Sequence, residues 1–377
     1  MNNPVYLDYN ATTPVAAEVL EAMLPYLVEH FGNPSSSHSY GAKAAEAVRA
    51  ARESVAGLLN AAADEIVFTG SATEANNLAL LGVARALAGA KRHLVVSAVE
   101  HPAVIAPALH LQSEGWELSV IPVDAYGRVD PAEVAAALRP DTALVSIMHA
   151  NNEVGTIQPV AEIAAIAGAR GILLHTDAAQ SAGKIALNVD ALGVDLLTLA
   201  GHKFYAPKGV GVLYVRTGTP ITAIQFGAGQ EHGLCPGTEN VPQMVGLGAA
   251  ARLARERLPA ATEKLRSLRD ALHQRLKAGV PGLVLNGHPS ERLPTTLNVS
   301  FPGISGRELL SRVAARVAAS VGSACHSEAD TVSGVLAAMG CDAHRAAGAV
   351  RLSVGWMTTP EEIEAAAAAL SEAAAGA

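Results

Sequence analysis

Short apolar runs alternate with alanine-rich stretches along much of the chain. Leu94-Val-Val-Ser97, Leu118-Ser-Val-Ile121 and Ala143-Leu-Val-Ser-Ile-Met148 read as buried strands, and stretches such as Pro131 to Leu138 read as the helices between them. This alternation predicts an α/β fold with a largely parallel sheet and helices on both faces. After Asn240 the pattern turns helical, through Arg252 to Lys277, with a break or bend near Pro259. Thr295 to Phe301 and Val350 to Ser353 then read as strands of a smaller α/β domain. We expect a large domain over residues 15–255, and a small C-terminal domain made of 256–377 with the N-terminal segment 1–14. The tail from Glu361 to Ala377 reads as a final helix, and neither an internal repeat nor a long linker is visible.

Chemistry enters at Ala200-Gly-His-Lys203-Phe-Tyr-Ala-Pro-Lys-Gly209, a loop between two apolar runs that places Lys203 at a strand end. Upstream, Ile172-Leu-Leu-His-Thr-Asp177 delivers an acid to the C-terminal end of another strand, where open α/β sheets gather their binding groups. A lysine and an aspartate so placed suit pyridoxal phosphate: the lysine takes the aldehyde, and the carboxylate holds the pyridine nitrogen protonated. Asp177 equally suits a helix N-cap before Ala178. Ile66 to Leu80 offers a strand, a Gly70-Ser71 turn and a helix whose first N–H groups, near Ala72 and Thr73, face an anion. The same residues also make an ordinary helix start. The segment has neither G-x-G-x-x-G nor Walker spacing, which lowers the dinucleotide and nucleoside triphosphate readings.

These segments lie in one order with Tyr6-Leu-Asp-Tyr-Asn-Ala-Thr-Thr-Pro14, Phe31-Gly-Asn-Pro-Ser35, Glu100-His101, Asn151-Asn-Glu-Val-Gly155, Pro236-Gly-Thr-Glu-Asn240 and Gly322-Ser-Ala-Cys325. The chain thereby resembles the cysteine desulfurases and selenocysteine lyases, in the class V aminotransferase branch of the fold-type I pyridoxal phosphate enzymes. The resemblance implies a large domain with a mostly parallel seven-stranded sheet flanked by helices. It implies Lys203 as the lysine bound to pyridoxal 5'-phosphate, Asp177 as partner of the pyridine nitrogen, and His101 stacked on the ring as a catalytic residue. Gln180 and Asn152 are then neighbours of the ring hydroxyl and substrate, and Ala72, Thr73 and His202 hold the phosphate. Thr238 resembles a threonine that reaches the phosphate from a second subunit, which implies a homodimer with shared active sites. His101 also has a plain reading, as a helix-start histidine before Pro102.

Cys325 stands among Gly, Ser, Ala and His residues rather than in an apolar run, as an exposed thiol does, and His326 is placed to favour its ionisation. By resemblance, Cys325 takes sulfur from cysteine as an enzyme persulfide and leaves alanine. Selenocysteine is the alternative substrate, and an inactive cofactor-binding scaffold of sulfur transfer is the alternative of another class. A sulfur or selenium acceptor protein follows as a further partner. Asn10, Asn152, Arg351 and Trp356 are the expected substrate contacts.

Three departures bear on the substrate. The resemblance expects arginines where this chain has Trp356, His232 and Cys235. An indole offers one N–H and no charge, whereas a guanidinium forks onto a carboxylate. Either the pocket is remodelled for another thiol or selenium compound, an aromatic one stacking on Trp356 for example, or Arg351 or another nearby arginine holds the carboxylate. The inverted turn Gly70-Ser71 and Ala200, where many desulfurases place a serine, predict weaker cofactor retention.

Composition fits such an enzyme. The 377 residues suffice for a large core, and half of them are hydrophobic, yet no long uninterrupted apolar run reads as a membrane span. The start, Met1-Asn-Asn-Pro-Val, lacks the marks of a signal peptide, so we expect a cytoplasmic protein. Three scattered cysteines argue against a disulfide framework, and no cluster has zinc-like spacing, so no metal is expected. A net charge of −8 without a basic run disfavours nucleic acid.

Overall fold

Strands that are buried over their whole length need cover on both faces, and helices supply it on either side of a central sheet. The computed structural model describes residues 3–322 and 333–376. In chain order the strands are β1 (Val5–Tyr6), β2 (Ile66–Thr69), β3 (His93–Ser97), β4 (Glu117–Ile121), β5 (Thr142–Ser146), β6 (Leu173–Asp177), β7 (Leu196–Ala200), β8 (Gly211–Val215), β9 (Val284–Asn286), β10 (Thr296–Ser300), β11 (Val317–Ala318) and β12 (Ala349–Ser353). The helices are α1 (Ala17–Val28), α2 (Ser39–Leu59), α3 (Ala72–Leu87), α4 (Pro102–Ser113), α5 (Pro131–Ala137), α6 (Val160–Gly168), α7 (Val189–Leu192), α8 (Val241–Gly279), α9 (Gly306–Val313), α10 (Gly334–Ala338), α11 (Ala343–Ala347) and α12 (Pro360–Ala375).

Seven strands form the large sheet in the order β2-β8-β7-β6-β5-β3-β4. All run the same way except β8, which is antiparallel to both β2 and β7. Six C-terminal strand ends therefore open on one edge. From β3 the chain steps outward to β4 and then back across to β5, so the order reverses between β3 and β5, the place where such sheets bind ligands. Side chains such as Phe68, Val145, Leu174 and Leu197 pack below 2 % exposure against α2, α6 and α8 in the largest apolar cluster.

The later part of the chain builds a three-stranded antiparallel sheet, β12-β10-β9, under α12 and the second half of α8. The N-terminal segment reaches this part, where β1 pairs in parallel with β11, Val5 opposite Val317, and Asp8 bridges to Ser353. Helix α8 continues through Pro259 without a break, although proline withholds one N–H from the helical ladder, and it starts at Val241 directly after Asn240. Among the described residues, no helix is long and apolar enough to cross a membrane.

Candidate active site

The strand ends collect the expected residues. Asp177 ends β6, buried at 7 % exposure, and its Oδ1 accepts the N–H of Ala179 at 2.9 Å as a turn former would. Its Oδ2 instead accepts Nδ2 of the fully buried Asn76 on α3, at 2.8 Å. Sequence reasoning missed Asn76, although an uncharged amide inside the apolar stripe of α3 was a visible signal.

Lys203 follows β7 in a short 3-10 turn, and its ammonium donates to the carbonyls of Asn10 at 2.6 Å and Ala11 at 2.8 Å. Gln180 Nε2 donates to the same Asn10 carbonyl at 3.0 Å. Asn10 is fully buried; its Nδ2 donates to the Asn152 carbonyl at 3.2 Å and to Thr296 Oγ1 at 2.9 Å. A second lysine, which sequence reasoning also missed, completes this knot. Lys184 donates to Gln180 Oε1 at 2.8 Å and Asn10 Oδ1 at 3.2 Å, and burial, then Lys203 and Arg351, push its ammonium well below the ordinary lysine value.

Arg351, on β12, is 3 % exposed and points into the same cluster. Nη1 donates to the carbonyls of Asn152 at 3.1 Å and Gly322 at 3.3 Å, Nη2 pairs with Asp8 at 2.9 Å, and buried Nε has no partner.

His101 caps α4, its Nδ1 accepting the Ala103 N–H at 3.1 Å, so the plain helix-start reading holds for that nitrogen. Burial lowers its proton affinity, while Asp177 opposes and Lys203 reinforces the shift. The ring lines a cavity of about 410 Å³ with Thr73, Asn77 and Pro102. Beside it, Glu100 bridges the reversal point, its Oε1 accepting Ser97 Oγ at 2.5 Å and the Met148 N–H at 2.8 Å. Burial pushes this carboxyl up to about 8 against the lowering of those two donors, and buried Oε2 is unpartnered.

At the start of α3, Ser71 Oγ accepts the Glu74 N–H, which leaves the N–H groups of Ala72 and Thr73 at the positive helix end. Gly211 on β8 abuts this turn, for a Cβ there would stand 2.6 Å from the Ser71 carbonyl carbon and 2.8 Å from Ala72 N. His202 Nδ1 shares a proton with Thr12 Oγ1 at 3.2 Å, and burial followed by Lys203 lowers it to about 4, so it is neutral at pH 7.

The departures fall in two places. Cys235 Sγ donates to Glu74 Oε1 at 3.3 Å beside the α3 start, and burial, then Glu74, push its thiol up to about 12. His232 and Thr238 lie exposed on the same loop. Trp356 lies elsewhere, stacked on Tyr205 with ring centroids 4.0 Å apart and an interplanar angle of 16°. That face of the indole is therefore covered, contrary to an open platform for an aromatic substrate. Cys325 and His326 lie outside the described residues.

The donor set fits pyridoxal phosphate: a buried carboxylate for a ring nitrogen, a lysine beside it, a histidine bordering an open cavity, and a helix start pressed by a glycine strand. Comparison with known proteins gives the same picture. Residues 5–366 match the family model for aminotransferase class-V. The chain is 46% identical over 364 residues to a cysteine desulfurase IscS of Dictyoglomus turgidum, covering 96% of this chain and 92% of the relative. A solved NifS-like protein superposes with a TM-score of 0.94 at 38% identity, covering 100% of both chains. A second, SspA in complex with cysteine, gives 0.83 at 38% identity over 93% of this chain and 98% of the other.

Proposed function

The chain belongs to the class-V aminotransferase family, among its cysteine desulfurases, and from that membership we propose that it uses pyridoxal phosphate to take the sulfur of L-cysteine, with alanine as the other product. The observation that carries the proposal is the knot in which Lys203, Lys184, Gln180 and Arg351 converge on Asn10 and Asn152 one strand from Asp177. Asp177 would hold the pyridine nitrogen, His101 the ring face, Gln180 the ring hydroxyl, and Ala72, Thr73 and His202 the phosphate. Bound there, the cofactor supplies an electron sink for cleavage at the carbons next to the substrate amine.

The chain's own groups do the rest. Asn76 holds one carboxylate oxygen of Asp177 and the Ala179 N–H the other, which fixes the orientation of the group. Arg351 draws the substrate carboxylate, its charge offset on the far side by Asp8, and Asn10 and Asn152 orient the amino acid. Lys203 carries a proton to and from the substrate, beside the buried Lys184, whose own ammonium is held by burial well below the ordinary lysine value. The sulfur acceptor is Cys325: cysteine and the enzyme thiol give alanine and an enzyme persulfide, which conserves every atom. A second copy of the chain, with Thr238 reaching across, completes the phosphate site, and an acceptor protein then removes the sulfur. The division into a cofactor part over 15–255 and a second part of 1–14 with 256–377 belongs to the same proposal, supported by separate apolar clusters on either side of Trp356.

The test is to incubate the cofactor-loaded protein with L-cysteine and with L-selenocysteine and to measure alanine, using Cys325→Ala and Lys203→Ala as controls. Alanine from cysteine, lost in both variants, is the expected result. Alanine from selenocysteine alone would replace the proposal with a selenocysteine lyase, and alanine from neither would overturn both.

A further inference from the structure

Tyr205 has a backbone conformation that its side chain does not favour. Its φ of 69° lies in the left-handed region, where bulky residues are outliers that surrounding contacts must hold in place. Those contacts can be named. The Tyr205 N–H donates to Thr13 Oγ1 at 2.8 Å, and its carbonyl accepts the Ala16 N–H at 3.2 Å. Its phenol oxygen accepts the backbone N–H of Trp356 at 2.5 Å, and its ring lies flat on the indole at 4.0 Å.

The indole is itself held. The Arg257 guanidinium lies 5.5 Å from the ring centroid, and Lys264 Nζ donates to the Trp356 carbonyl at 2.9 Å. The preceding Gly355 is so close to Tyr9 that a Cβ would stand 2.2 Å from that ring, and Tyr9 in turn lies 6.4 Å from the Tyr205 ring. Trp356 packs against both of the two largest apolar clusters, one under the large sheet and one under the β12-β10-β9 sheet.

Lys203 sits between two clamped points. On one side, the His202 carbonyl accepts Thr13 N–H at 2.9 Å and Thr13 Oγ1 at 3.0 Å. On the other stands Tyr205, and the hollow between Lys203, Tyr205 and Trp356 has only about 10 Å³ of free volume. The lysine loop is thus fixed at residue 202 by the N-terminal segment and at residue 205 by the turn that follows β12, the strand bearing Arg351.

We propose that Trp356 is a positioning residue for Lys203: by stacking on Tyr205 it holds the strained lysine loop in the geometry that receives the cofactor, and it registers that loop against the strand of Arg351. This rests on the reading of Lys203 as the cofactor lysine. It assigns Trp356, the most conspicuous departure from the expected sequence, a role that requires no unusual substrate. Phenylalanine at 356 keeps a ring for Tyr205 and the backbone N–H, whereas alanine keeps only the N–H.

The experiment strips the cofactor from wild type, Trp356→Phe and Trp356→Ala, adds pyridoxal phosphate back, and follows the rate at which the lysine-bound chromophore forms. Borohydride reduction and peptide mapping then locate the attachment. The expected result is reloading slowed by about three- to tenfold in Trp356→Ala, the range an aromatic pair is worth, and restored to within about twofold in Trp356→Phe. Wild-type reloading in Trp356→Ala, or equal slowing in both variants, would overturn the proposal while leaving Lys203 in its role. A wild-type adduct on any other lysine would overturn the Lys203 reading and this proposal with it. If Trp356→Ala does not fold, Tyr205→Phe removes only the phenol acceptor of the Trp356 N–H. Slower reloading in that variant supports the proposal, and an unchanged rate contradicts it.

Discussion

Replacing Glu231 tests whether the loop carrying His232, Cys235 and Thr238 is held on the sheet by one buried carboxylate. The Glu231 side chain is 3% exposed, and both of its oxygens are engaged. Arg52 donates from Nη2 to Oε1 at 2.5 Å and from Nη1 to Oε2 at 2.8 Å, and the Phe68 N–H donates to Oε2 at 2.7 Å. Phe68 lies on β2, the edge strand of the large sheet, so Glu231 occupies a backbone donor that would otherwise be an open sheet edge. Two residues further along β2 begins the turn into α3, where Cys235 of the same loop meets Glu74. Glu231→Ala leaves the Arg52 guanidinium, 16% exposed, without its carboxylate, with the Ile66 carbonyl still accepting from Nη1, and strands the Phe68 N–H. Breaking a buried pair from one side costs about 3–5 kcal/mol. Glu231→Gln keeps the shape and one acceptor, and loses roughly 1.5–3 kcal/mol, the worth of charged hydrogen bonds. Equilibrium urea unfolding measures both, provided the slope is unchanged so that the midpoint reports stability. A loss in Glu231→Ala below about 1 kcal/mol, as for a solvent-screened pair, would refute the argument. So would equal losses in the two variants.

Three further outcomes follow from the same geometry. Glu100 ionises near 8 when folded and near 4.5 when free, so the folded protein binds more protons between these values, and stability falls as pH rises through that window and levels off above it. Glu100→Gln should remove the fall, worth up to about 4 kcal/mol, in unfolding measured from pH 5 to pH 9; parallel curves for the two proteins would contradict it. Gly211→Ala places a Cβ 2.6 Å from the Ser71 carbonyl carbon, so the α3 start must shift and the protein should lose cofactor on dialysis, read by absorbance, while retaining its helical signal. Arg351→Met removes the cation proposed to meet the substrate carboxylate, and kcat/KM for cysteine should drop about 10- to 100-fold, mostly through KM. A drop confined to kcat would place the carboxylate elsewhere.

Much of this arrangement could be read from the chain because its signals were local. An apolar run such as Leu173–Asp177 must be buried on both faces, and a polar residue at its end must leave the sheet on the ligand side, so Asp177 and Lys203 were visible as strand-end residues. The parallel sheet followed from the spacing of strands and helices. Contacts across long separations were not visible. Asn10 to Lys184 spans 174 positions, and Asp8 to Arg351 spans 343, and no periodicity in either segment announces the other. Lys184 was missed for this reason, since a lysine after Gly183 looks like any surface charge until the N-terminal segment folds over it. Trp356 was read through the arginine it replaces, which pointed to the substrate, whereas its neighbours are Tyr205 and Arg257.

The placement of charge argues independently for an anionic ligand. Lys184 and Lys203 meet Asn10, Arg351 meets the Asn152 carbonyl that Asn10 also contacts, and burial of Lys184 and Arg351 removes the water that would otherwise hold their charge. Asp8 offsets Arg351, and Asp177 lies on the strand beside β7. A fold selected for stability alone would replace Lys184 by an apolar residue, because a buried ammonium is penalised by desolvation and here also by two like charges. The cluster is instead suited to ligands that bring negative charge with them, a phosphate at the α3 start and a carboxylate near Arg351. Ligands that bind only the folded state stabilise it by mass action, so the penalty stored around Asn10 should be relieved when they enter. Thermal unfolding of the stripped protein should therefore rise on adding pyridoxal phosphate, and rise less in Lys184→Met, where part of the penalty is already gone. An equal rise in both would show that Lys184 is no part of the charge the ligand answers.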